Sequence, residues 1–158
     1  MLYKMIAKKC NEWYDSNNCP INHVISYIIR VGQMRDAQIE AIKVYLFLKI
    51  VGECNPLEVL FKQGFFNSIQ LNDIELSTAT RKYLEENPAA AALLEYSRIK
   101  NDKGEQVSIK LEQQIKKDPS SINYNDFFHN LFYGISYTDY LFSLPMGAGK
   151  TYLMAAFI

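Results

Sequence analysis

"YTDYLFSLPMGAGKTYLMAAFI", residues 137–158, decides the fold class of this chain. Before it the sequence reads as one helix after another. Here the pattern changes. "YTDYLFSL" is a run of aromatic and apolar residues of β type, "PMGAGKT" is a Gly-rich loop, and "YLMAAFI" returns to helical composition. Strand, Gly-rich loop and helix, in that order, form the context that a phosphate-binding loop requires. The expected fold is therefore mostly α, with a helical region over residues 1–136. Residues 137–158 begin an incomplete α/β domain.

The loop chemistry follows from residue types. Gly147 and Gly149, with Ala148 between them, let the backbone curl so that successive N–H groups converge on phosphate oxygens. Lys150 reaches the β- and γ-phosphates of a nucleoside triphosphate, and the Thr151 hydroxyl is placed to bind Mg2+. The helix that starts here turns its positive N-terminal end toward the same anion. The strict pattern would put a glycine at position 144, where this chain has Leu144. The plain alternative is an ordinary strand-turn-helix with Lys150 in solvent.

Upstream, helix signals recur. "NCPINHVISYIIRVG" carries Pro20 near a first turn and Gly32 as a stop. In "MRDAQIEAIKVYLFLKIVG", Ile39, Ile42, Leu46 and Ile50 fall on one face, and Gly52 ends the pattern. Asn55 and Pro56 read as cap and first position of "LEVLFKQ", closed by Gly64. Ser77 caps "TATRKYLEEN", and Pro88 restarts the chain into the alanine-rich "AAAALLEYSRIKND". "NDKGEQ", residues 101–106, is a turn, either a hairpin tip or a surface loop. "VSIKLEQQIKKD" alternates at first like a short strand and ends like a helix. "PSSINYNDFFHNLFYGIS" is an aromatic helix stopped by Gly134.

Composition narrows the class. The 158 residues are 49% hydrophobic, and 17 basic residues balance 17 acidic ones, so no global field draws nucleic acid or an anionic membrane. Three cysteines at unrelated spacings and two distant histidines give no zinc pattern; Cys54 reads as a small buried thiol. The most apolar run, "AIKVYLFLKIV", is short and interrupted by Lys43 and Lys49, so a soluble cytoplasmic protein with no membrane partner is expected. Trp13, Tyr14, Tyr124 and Phe127 are aromatics that could stack on bases but read better as core. Lys110, Lys116 and Lys117 read as a solvated face, and His129 as a packed residue among aromatics.

"SLPMGAGKTYLMAAFI" resembles motif I of the superfamily-two helicases of DEAD/DEAH type and the helicase subunits of restriction enzymes. That family usually lacks the first Walker glycine, so Leu144 agrees with it, whereas Met146 stands where threonine is commoner. "MRDAQIEAI" resembles a second family feature, Arg-x-x-Gln-x-x-Ala-Ile at Arg35, Gln38, Ala41 and Ile42. There the glutamine reads the adenine edge through an amide that both donates and accepts. The resemblance implies ATP and Mg2+ as cofactors, with Lys150 catalytic and Gly147, Ala148, Gly149, Lys150, Thr151 and Gln38 binding the nucleotide. The family spaces these two features much more closely than Gln38 and Lys150 stand here. Either a helical insertion fills the gap or the Gln38 match is a solvated helix surface.

The resemblance also implies an N-terminal piece of a longer motor, cut just after its first motif, with a RecA-like domain beginning at residue 137. Nucleic acid, DNA ahead of RNA, would bind through the remainder, and the helical region is open to a protein partner. No turnover is expected of these 158 residues alone, because the acidic pair that holds magnesium and orients water is not among them. A different reading makes the chain a helical interaction or adaptor module in which the Gly-Lys-Thr loop is incidental.

Overall fold

The computed structural model describes residues 2–16 and 19–134, and these are mostly helical. Eight α-helices occur among them, with two single-turn 3-10 segments and no strand. The strand, loop and helix start expected over residues 137–158 lie outside the described residues. So does the expected boundary between residues 136 and 137. The described chain divides into two compact units, one from residues 7–55 and one from residues 2–6 with 56–134.

The first unit holds most of α1 (Leu2–Tyr14), then α2 (Asn22–Gly32) and α3 (Asp36–Ile50). Its buried apolar side chains include Cys10, Cys19, Ile25, Ile42, Val44, Phe47 and Leu48. Ile28, Met34 and Leu46 pack against Ala41 and Ile42. The single apolar stripe expected along α3 is not what forms. Ile50 is 41% exposed, while Gln38, Val44 and Leu48 are buried. The reason lies in composition: α3 is apolar nearly all round, so its pattern does not name one buried face. Gly32 is the last residue of α2 and not its stop; the left-handed position falls to Gln33, φ 47°.

The second unit is built around α6 (Pro88–Arg98). Ala90, Ala91, Ala92, Leu93 and Leu94 are all buried in succession, which happens only when a helix is covered on every side. Its neighbours are α4 (Leu57–Lys62), α5 (Thr78–Glu86), α7 (Ile109–Lys117) and α8 (Tyr124–Leu131). Alanine at three of the buried positions lets these helices approach closely, and Phe61, Phe66 and Phe128 fill the space at one end with ring centroids 4.5 and 6.3 Å from that of Phe61.

Four α-helix starts in this unit are fixed by side-chain caps. The exception is α4, which begins at Leu57 after Pro56 with no side-chain cap bond, where Asn55 was expected to cap and Pro56 to be the first helical residue. Ser77 accepts from the Thr80 N–H, Asn87 from Ala90, Ser108 from Leu111 and Asn123 from Asp126. Each such cap stabilises by about 1 kcal/mol. Residues 101–106 form a hairpin tip of minimal size. Lys100 and Gln106 pair in one antiparallel bridge, and the Asn101 side chain accepts from the Lys103 and Glu105 N–H groups. The strand considered for "VSIKLEQQIKKD" does not form; Ser108 caps α7 directly.

Candidate functional site

Gly147, Ala148, Gly149, Lys150 and Thr151 lie outside the described residues. Of the expected nucleotide ligands, Gln38 alone can be placed. It sits at the third position of α3, is 3% exposed, and its Oε1 accepts a 2.8 Å hydrogen bond from the Arg35 N–H. The Gln38 N–H in turn donates to the Arg35 carbonyl at 2.9 Å. A guanidinium has no acceptor to offer, so glutamine supplies the side-chain half of this cap. The local sequence dictates the arrangement: a helix start leaves N–H groups unpaired, and an amide three residues on is the right length to reach back.

The strongly shifted titratable groups are structural. Burial pushes the Cys10 thiol up to about 12, partly offset by the Lys43 charge. Burial also raises Tyr124, whose hydroxyl donates to the Pro119 carbonyl at 2.6 Å. A thiol and a phenol held neutral in this way are poor nucleophiles or bases near neutral pH. Glu112 is shifted the other way. Burial by itself would raise it, but hydrogen bonds from Lys116 and Gln106 and the charge of Arg98 hold it below the ordinary carboxylate value. No group of three potential metal ligands is found among the described residues.

Several expected roles change on inspection. Cys54 is exposed, at the end of the α3 turn where Glu53 and Cys54 both adopt positive φ, whereas Cys10 and Cys19 are the buried thiols. His129 is not packed: its side chain is 62% exposed, with Nδ1 3.8 Å from a Glu58 carboxylate oxygen. Lys110 and Lys117 are exposed, as expected of a solvated face, and the partly exposed Lys116 pairs with Glu112 at 2.8 Å. The four aromatics considered for base stacking are used internally. Trp13 meets Phe47 at 5.6 Å, the Lys43 ammonium lies 3.6 Å from the Tyr14 ring centre, Tyr124 is buried and Phe127 sets its edge on Phe128.

A surface cavity of about 550 Å3 lies along α2, lined by His23, Val24, Ser26, Tyr27 and Arg30. These residues fall at positions i, i+1, i+3, i+4 and i+7, so one helical face presents them together. Tyr27 is 57% exposed, and the Arg30 guanidinium stands 5.9 Å from its ring centre. In the sequence these residues fit an ordinary helix pattern, which does not mark the face as exposed. The available signal was charge: residues 19–35 contain Arg30 and Arg35 and no aspartate or glutamate.

Among the described residues, no helix is long and apolar enough to cross a membrane. Comparison with protein-family models, with curated proteins and with solved structures returned no match.

Proposed function

We propose that this chain belongs to an ATP-dependent nucleic-acid helicase or translocase and binds the triphosphate through residues 144–151. The observation that carries the reading is the Gly147-Ala148-Gly149-Lys150-Thr151 run, set between a β-type segment and a small apolar helical one. In this reading the 147–149 backbone cradles the phosphates, Lys150 neutralises the β- and γ-phosphates, and Thr151 holds Mg2+. Residues 137–158 are the start of a RecA-like α/β domain, Gln38 contacts adenine, and the protein works in the cytoplasm on DNA ahead of RNA. These residues alone bind nucleotide weakly and do not hydrolyse it, since catalysis in this class needs an acidic pair and arginines supplied from elsewhere.

The test is a titration of the chain with a fluorescent ATP analogue and Mg2+. Weak, magnesium-dependent binding that Lys150→Ala abolishes supports the reading. Equal signals from the wild type and Lys150→Ala would overturn it.

The helical interaction module remains the second reading, favoured by one observation. Burial raises Cys10 and Tyr124, and structural hydrogen bonds and ion pairing lower Glu112. On that reading Lys150→Ala leaves every property of the protein unchanged.

A further inference from the structure

We infer that the exposed face of α2 is a stacking platform for single-stranded nucleic acid, with Tyr27 taking a base and Arg30 an adjacent phosphate. The inference stands on described residues and does not use the 144–151 loop. It assigns nucleic-acid contact to the helical region itself.

Three observations carry it. The first is chemical. A tyrosine ring with more than half its surface in solvent and a guanidinium over it offers a flat π-face and a cation side by side. That pair matches a base and its phosphate, because stacking accepts any base and the cation needs only the backbone. The second is electrostatic. Residues 19–35 carry Arg30 and Arg35 and no acidic side chain, so this stretch is locally basic in a chain whose charges balance overall. Its described contact is the Tyr27 ring. The third is space. The depression beside Tyr27 and Arg30, about 550 Å3 and largely open to solvent, also presents the His23 imidazole and Ser26 hydroxyl as polar groups.

The geometry favours a single strand over a duplex. Stacking on Tyr27 requires a base whose face is free, and duplex bases have none. An acidic peptide would satisfy Arg30 but leave the aromatic ring without a matching partner. Val24 and Val31, 40% and 57% exposed, extend the apolar strip beside the ring and suit the sugar edges of an extended strand.

The experiment is fluorescence anisotropy of a labelled oligothymidine with the full chain, in the absence of any nucleotide, so that failure of the ATP-binding reading leaves this readout untouched. Wild type is compared with Tyr27→Ala, Tyr27→Phe and Arg30→Gln. Both positions are at the surface, so helix content by circular dichroism should match wild type. Tyr27→Ala is expected to weaken binding by about 5- to 100-fold, and Tyr27→Phe to retain it, since the ring is what stacks. Arg30→Gln should lower the slope of log affinity against log salt by about 0.7, the share of one phosphate on a single strand. The proposal is overturned if the oligonucleotide does not bind or if Tyr27→Ala binds like wild type. It also falls if a duplex of equal length binds as tightly, or if polyglutamate displaces the oligonucleotide equally well and so marks the face as a site for an acidic protein.

Discussion

Arg98, the last residue of α6, donates a 2.6 Å hydrogen bond to the carboxylate of Glu112 in the first turn of α7. The same oxygen takes the Lys116 ammonium at 2.8 Å, and the other oxygen accepts from the Gln106 amide. One carboxylate thus gathers the end of α6, the hairpin tip after it and the next turn of α7. Glu112 is 12% exposed at its side chain, but its partners Arg98 and Lys116 are 40% and 33% exposed, which discounts the energy.

Glu112→Gln should therefore lower stability at neutral pH by about 1–2 kcal/mol, a few degrees in Tm. The pH dependence has a definite sign. Folding lowers the Glu112 pKa from its ordinary 4.5, so between the folded and unfolded values the unfolded chain binds more protons. Its contribution is fully present above about pH 4.5 and is lost as pH falls through the lower, folded value. Melting curves of wild type and Glu112→Gln should be well separated at pH 7 and converge in acid. A gap that is constant with pH would show that the carboxylate charge contributes nothing.

Gly64 and Gly104 make a matched pair for separating backbone strain from crowding. Both have positive φ, 71° and 80°. A Cβ on Gly64 would come within 2.7 Å of the Asn67 amide nitrogen and 2.8 Å of the Pro88 ring, whereas a Cβ on Gly104 meets nothing within 4 Å. Pro88 cannot move aside, because it opens α6 and its ring is rigid. Gly104→Ala should cost about 1 kcal/mol from backbone strain alone, and Gly64→Ala about 2–4 kcal/mol. Denaturant midpoints of the two variants check this, and equal losses would remove the steric part of the argument.

How far the sequence revealed this depends on which physical signal governs each element. Caps were legible in part. Ser77 sits at its helix start because a short polar side chain that meets orphan N–H groups has few other uses there. Asn55, by contrast, does not cap α4, which begins at Leu57 after Pro56. Burial was less legible where apolar residues surround a helix. The run Ala37 to Ile50 gives no unique face, so Ile50 reached solvent while the polar Gln38 was enclosed at a helix start. His129 looked packed because Phe127, Phe128 and Phe132 surround it in sequence, yet helical spacing turns it away from Phe128 and toward Glu58. The α2 face was hidden for a different reason. Tyr27 and Val31 fit an apolar helix pattern, and only their exposure distinguishes a surface strip from a core stripe.

Glu95 links segments distant in sequence. Its carboxylate accepts from the Ser68 N–H at 2.7 Å, the Ile69 N–H at 2.9 Å and the Ser68 hydroxyl at 2.6 Å. Those bonds pin the chain after Phe66 to α6. Glu95→Ala should cost about 1–2 kcal/mol, since water can reach the loop and replace part of the loss. The specific readout is amide exchange: Ser68 and Ile69 should exchange roughly tenfold faster or more while the amides of α6 change less. Uniform acceleration across the unit would mean that Glu95 acts on global stability and not as a local latch.

Gln38 carries two assignments that one substitution can separate. As a cap it needs only an acceptor for the Arg35 N–H, and as an adenine reader it needs the amide's donor as well. Gln38→Glu keeps the acceptor, and its negative charge lies at the favourable N-terminal end of α3, which offsets part of the desolvation cost at a 3% exposed position. Gln38→Leu removes both functions and should cost about 1 kcal/mol of helix-cap stability. If Gln38 reads adenine, Gln38→Glu stays folded with a Tm closer to wild type than that of Gln38→Leu, yet loses preference for an adenine over a guanine nucleotide. A Gln38→Glu protein that folds and still discriminates the two bases would leave Gln38 as a cap alone.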